Sequence, residues 1–203
     1  MDLREESRAA LVDGNREASS ARAVVLVEGV SDKLALEALA VRHGRELSAE
    51  RVDVLPMGGS KNIRHFLERL ARRGFEGKVA GLCDSGEEGD FIRGLERAGF
   101  GSDLTRIGME RLGFFVCIVD LEDELIRALG AAAVERVIEA QGELRSFRTL
   151  QKQPAWRGRR TEDQLRRFFG SSRSRKSVYP PLIVAALDLA RAPRPLEGIL
   201  AHV

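Results

Sequence analysis

Cysteine is scarce. The 203-residue chain has two, Cys83 and Cys117, set in separate apolar runs without C-x-x-C spacing, which argues against a disulfide framework or a thiolate zinc site. Both read as buried thiols. Histidine is nearly as rare, and His43, His65 and His202 lack the i, i+4 pairing of a helical metal site. Aromatic residues make up 5% of the chain. No stretch approaches the roughly 18 unbroken apolar residues of a membrane span, and the N-terminal MDLREESRAALVDGNREASSARA has no apolar signal-peptide core. The expected location is cytoplasmic, with no membrane contact. Neither G-x-x-x-x-G-K-[ST] nor G-x-G-x-x-G occurs, so no ATP site and no dinucleotide fingerprint are expected.

What is present is the balance of a folded protein: 43% hydrophobic and 32% charged residues, in a length that suits one domain or a domain with an appendage. The net charge of +2 hides an asymmetry. Between Arg145 and Lys176 eleven basic residues meet only Glu162 and Asp163, a net of +9 that leaves −7 for the remainder. A basic tract attached to an acidic body suits a phosphate-binding protein with a carboxylate cluster, and equally a solvated helical face.

From residue 23 onward, apolar runs alternate with helical periodicity. Val24–Val27, Val52–Leu55, Lys78–Cys83 and Phe114–Val119 read as strands, each followed by a helix pattern. The alternation predicts an α/β fold with a parallel sheet of about four strands and helices on both faces. After Ala131 only helical patterns occur, including Pro181–Ala190 and Pro195–Val203. The expected organisation is an arm or helix over 1–22, an α/β domain over 23–130, and a basic α-helical extension over 131–203 packed on it. SSRSRKS at 171–177 reads as a mobile basic loop.

Ligands of open α/β sheets bind at the carboxyl ends of the strands. Here the first strand ends on Glu28, with Asp32 a helical turn later. The third ends on Asp84, followed by Ser85-Gly86-Glu87-Glu88, and the fourth on Asp120, followed by Glu122, Asp123 and Glu124. Acids gathered there repel one another unless a cation neutralises them, and an all-oxygen donor set selects Mg²⁺ or Mn²⁺. Two such ions are the arrangement that cleaves phosphodiesters. The competing reading makes these acids helix caps. Asp120 and Glu122 fit capping well, whereas Glu28 does not, because Ser31 or Asp32 is a better cap for its helix.

E-G-x-S-D after the first strand, V-x-P-M-G-G after the second and an Asp-centred turn after the third resemble a Toprim domain, the metal-dependent module of topoisomerases, bacterial primases and several nucleases. Within that superfamily VLVEGVSDKLALEALA, VLPMGGSKNI and DLEDEL most resemble the nuclease region of overcoming-lysogenization-defect (OLD) family endonucleases. The resemblance implies a Toprim-type, Rossmann-like fold and a Mg²⁺/Mn²⁺-dependent endonuclease or nickase acting on DNA. It implies Glu28, Asp32, Asp84 and Lys176 as catalytic residues, with Glu28, Asp32, Asp84, Asp120 and Glu122 as metal ligands. Nucleic-acid contacts would come from Lys61, Arg157, Arg159, Arg160, Arg173, Arg175 and Lys176.

Two features depart from the family. Its Asp-x-Asp reads Asp84-Ser85-Gly86 here, so either Glu87 or Glu88 takes the second carboxylate's place or one metal site is weakened. OLD proteins also carry an ATPase domain, whereas this chain shows no ATP site and reads as a stand-alone Toprim module, one that works without nucleotide hydrolysis or with a separate ATPase partner. A homo-oligomer is compatible with either. Topoisomerase is disfavoured because the only tyrosine, Tyr179, sits beside Pro180-Pro181 with no strand-passage domain. Primase is disfavoured because no zinc-ribbon cysteines occur. The alternatives are a catalytically weakened nucleic-acid-binding or regulatory subunit and a small-molecule-binding α/β domain.

Overall fold

Ala23–Val27 (β1) is buried at every position, as a strand covered on both faces must be. Its neighbours are Val52–Pro56 (β2) and Lys78–Cys83 (β3), and Phe114–Val116 (β4) completes a sheet ordered β2-β1-β3-β4 with every pair parallel. The computed structural model describes residues 21–203, so most of the arm expected over 1–22 lies outside the described residues. Among these, no helix is long and apolar enough to cross a membrane.

Side-chain alternation along β1 divides the core. Val25 and Val27 face a cluster that takes Ala35, Leu36 and Leu39 from Val30–Arg42 (α1). Val24 and Leu26 face the opposite cluster, with Ile63, Phe66 and Leu67 of Ile63–Arg72 (α2) and Phe91 and Leu95 of Glu88–Arg97 (α3). The short helix Arg106–Arg111 (α4), capped by Thr105, leads into β4. The helix after β1 thus covers one face and the helix after β3 the other. Between those adjacent strands lies the topological switch point, where open α/β sheets bind ligands.

Beyond β4 the chain is helical: Leu121–Leu129 (α5), Ala131–Ala140 (α6), Leu144–Lys152 (α7), Thr161–Gly170 (α8), Arg173–Ala186 (α9) and Arg194–His202 (α10). Val134, Phe147, Phe168, Tyr179, Ile183 and Ile199 join the same apolar cluster as Val25 and Leu36. One core therefore runs from the sheet into the extension. α9 lies along α1, and Arg42 of α1 donates to the carbonyls of Val184 and Leu187 at its end.

Three local expectations are corrected. β4 ends at Val116 rather than Val119, because the Ile118 amide leaves the ladder and donates to the Glu124 carboxylate at 2.7 Å. The basic stretch at 171–177 is no loose loop: α9 begins at Arg173 and includes Pro180 and Pro181. Proline removes an intrahelical hydrogen bond, yet Tyr179, Pro180, Ile183 and Val184 are buried, and that packing holds the helix through them. The cap position of α1 is Gly29, not Ser31 or Asp32, and Asp32 instead reaches back to accept from the Gly29 amide at 2.7 Å.

Candidate active site

Glu28 follows the last residue of β1, and its position is set by the backbone. Its carbonyl accepts from the amides of Gly58 (3.0 Å) and Gly59 (3.2 Å) in the turn after β2. Gly58 at φ +73 and Gly59 at φ +129 occupy conformations that side-chain-bearing residues rarely adopt. The glycine pair thus fastens the corner on which Glu28 stands.

A cleft of about 470 Å³ opens at this corner, lined by Glu28, Asp32, Asp84, Glu122, Arg173 and Lys176 together with the Gly58-Gly59 turn. Glu28 follows β1, Asp32 lies in α1, Asp84 follows β3, α5 presents Glu122 from its first turn, and α9 brings Arg173 and Lys176 from the extension. Four of the expected acids and the expected lysine therefore share one cavity at the switch point.

Their electrostatics follow from crowding in a partly dry site. Burial raises Asp32 to about 7, with Glu122 and Glu28 adding repulsion against the pull of the Gly29 amide. Burial likewise raises Asp84 to about 8, helped by Asp32, Glu28, Asp120 and Glu122. Glu28 is raised by burial and by Glu87, with Lys176 opposing. Glu122 is raised mainly by burial, again opposed in part by Lys176. Such mutual repulsion marks a place that a cation would stabilise.

The departure at Gly86 resolves between the two candidate substitutes. Glu87 is close enough to Glu28 to raise its carboxyl, and each has one buried carboxylate oxygen without a donor. Glu88 instead turns away and is held by Arg106 at 3.2 Å. The short 3-10 turn Ser85–Glu87 carries Glu87 to the acidic side.

Two expected site residues are placed otherwise. Asp120 caps α5 by accepting from the Asp123 amide at 2.8 Å, and its carboxylate is also clamped by Arg166 of α8 at 3.2 Å. Its oxygens thus already serve as acceptors for the α5 cap and for Arg166. Arg175 is half-buried, bonded to Glu143 at 2.7 Å and to Ser146 at 3.0 Å, with its guanidinium 3.8 Å from the Phe168 ring centre. That side chain fastens α9 to the neighbouring helices of the extension.

The remaining basic candidates are exposed: Lys61 after Gly59, and Arg157, Arg159 and Arg160 in the segment before α8. Arg157 donates to the Lys152 carbonyl at 3.2 Å, and Arg160 stands 3.5 Å from Glu162. Tyr179 is buried and donates its hydroxyl to Glu143 at 2.7 Å, which removes it as a nucleophile. Sequence reasoning passed over Trp156, an aromatic inside the basic tract that lines the neighbouring cleft with Arg159 and Lys176.

Among the described residues no three Asp, Glu, His or Cys side chains form a ready cage for a metal ion. The carboxylates share a cleft and stop short of a preassembled centre. Any ion held here would take one or two of these carboxylates and complete its shell with water or phosphate, as hard divalent cations do. The donorless oxygens of Glu28 and Glu87 and the all-oxygen set point the same way.

Residues 21–85 match the family model described as overcoming lysogenization defect protein-like, TOPRIM domain. The fold is similar to the C-terminal region of the Xanthomonas campestris pv. campestris OLD protein, at 22% identity and a TM-score of 0.70, covering 92% of this chain and 94% of that one. It is also similar to the C-terminal region of the Burkholderia pseudomallei OLD protein, at 17% identity and a TM-score of 0.69, covering 90% and 97%. No curated protein matches the chain.

Proposed function

We propose that this protein is a Mg²⁺- or Mn²⁺-dependent nuclease that hydrolyses phosphodiesters of DNA, because residues 21–85 match an OLD-like Toprim family model and the fold is similar to that of OLD C-terminal regions. The observation that supports it is the convergence of Glu28, Asp32, Asp84, Glu122 and Lys176 on one cleft at the switch point. Glu28, Asp84 and Glu122, with Glu87 beside Glu28, would hold the ions. When bound, these would supply an activated water at neutral pH and neutralise charge on the phosphate.

The chain's own groups do the rest. Asp32, fixed by the Gly29 amide, keeps the E-G-x-S-D corner in place beside Glu28. Glu28 is set to take a proton from the attacking water, since one of its oxygens has no donor. The Lys176 ammonium faces the acids from α9 and would bind a non-bridging phosphate oxygen, stabilising the charge that grows during hydrolysis. Arg173, exposed on the same helix, would hold the adjoining backbone phosphate.

Supercoiled plasmid incubated with the protein and Mn²⁺ tests the reading. Nicked circles that disappear in Glu28→Gln and Asp84→Asn are expected. Binding without cleavage under every divalent metal would overturn it. That result would favour a regulatory nucleic-acid-binding subunit working with a separate ATPase partner, a reading supported by the missing carboxylate at Gly86.

A further inference from the structure

Lys176 borders a second cleft on the side away from Glu28. This cleft, of about 480 Å³, shares Glu122 and Lys176 with the acidic one and is otherwise lined by Trp156, Arg159, Arg166 and Arg167, with Asp120 and Asp163. Asp120 and Arg166 neutralise one another, so the charge left to a ligand comes mainly from Arg159, Arg167 and Lys176 against Glu122 and Asp163.

Trp156 gives this cleft a chemistry the first one lacks. It packs partly buried against the main core, and the Arg159 guanidinium stacks on its ring 5.3 Å from the centre. Gln164 donates to the Trp156 carbonyl at 2.8 Å, and the Arg159 side chain donates to the Ala155 carbonyl at 2.8 Å. The backbone and the guanidinium plane are therefore both held. A guanidinium plane backed by an aromatic ring and flanked by cations offers a flat outer surface on which a base can stack while phosphates are gripped.

We propose that the Trp156–Arg159 stack is a nucleobase platform, one nucleotide along from the phosphate at Lys176, and that the protein engages single-stranded or locally unpaired nucleic acid. A base inside a duplex has both faces covered by its neighbours and cannot use such a platform unless it is turned out. This inference rests on the nuclease reading only for the identity of the adjoining cleft.

Trp156 is the only tryptophan in the chain, so intrinsic fluorescence reports on that ring alone. The test titrates the protein, in Ca²⁺ to hold back cleavage, with an oligothymidylate of about 12 nucleotides, an abasic strand of the same length and a duplex. The expected result is a fluorescence change with the thymidylate alone, and affinity for it about tenfold above that for the abasic strand. Arg159→Ala, an exposed change that leaves the indole packed, should lose most of that preference, and Trp156→Phe should retain it in an anisotropy assay.

Equal affinity for abasic and base-bearing strands with no spectral change overturns the platform, even if plasmid nicking persists. A thymidylate-dependent fluorescence change in a protein that cleaves nothing keeps the platform and removes the nuclease reading.

Discussion

Glu28 and Glu87 are neighbouring acids, burial and Glu87 together holding the Glu28 carboxyl above its ordinary range, and each leaves one buried oxygen without a donor. Two acceptors so placed need a proton or a cation between them. Changing Glu87→Gln puts an amide donor where the second carboxylate stood. In metal-free buffer the variant should melt about 2–4 °C higher, the shift that about 1 kcal/mol of hydrogen bonding gives in a chain of this length. Its further gain on adding Mn²⁺ should shrink below that of the parent. A lower melting temperature without metal would show that the two carboxylates are not in opposition.

Asp32 and Asp84 make the metal-free protein sensitive to pH. Both bind a proton more tightly folded than unfolded, from an ordinary value of 3.8 to about 7 and about 8 respectively. Native protein then holds more protons than the unfolded chain across that interval, so stability falls as pH rises. Their contribution is complete below about pH 4 and gone above about pH 8. Thermal melts in EDTA should show this decline, and Mg²⁺ or Mn²⁺ should stabilise the protein more at pH 8 than at pH 5. A metal-free protein whose stability rises from pH 4 to 8 would mean that the cluster is not self-repelling.

Gly86 offers a gain-of-function experiment. A Cβ built at this exposed glycine meets nothing within 4 Å, and its φ is not in the left-handed region. Gly86→Asp is therefore free of steric cost and restores the Asp-x-Asp spacing after β3. The variant should bind Mn²⁺ at least about tenfold more tightly by calorimetry and nick plasmid faster. Unchanged metal affinity would indicate that Glu87 already completes the site.

The fold was legible because buried parallel strands are written as short apolar runs such as AVVLV, and the bounds read for the third strand, Lys78–Cys83, match residue for residue. The acids at the strand ends were legible for the same topological reason. The fate of individual side chains was not. Asp120 and Arg175 look, in one dimension, like a metal ligand and a phosphate contact, yet Arg166, 46 residues on, and Glu143, 32 residues back, take them up. Nor could the prolines of YPP announce a helix beginning at Arg173, because it is burial of Tyr179 and Ile183 against distant residues that sustains it. Pairings between distant elements leave no local periodicity to read.

Arg175 and Lys176 are adjacent in sequence but differently placed in the structure, which makes them a discriminating pair. Arg175 bonds Glu143 and stacks on Phe168 inside the extension, while Lys176 is exposed at the border of the two clefts. Removing the Arg175 side chain leaves Glu143 with only the Tyr179 hydroxyl among these partners. Arg175→Ala should cost about 2 kcal/mol and lower the melting temperature by about 4–8 °C, with nicking by the remaining folded protein little changed at low temperature. Lys176→Ala should melt within about 1–2 °C of the parent, since an exposed charge contributes little to folding, and lose at least about a hundredfold in nicking rate. Melting curves and plasmid assays on both variants separate the roles, and a Lys176→Ala protein that nicks at the parental rate would remove this lysine from the site.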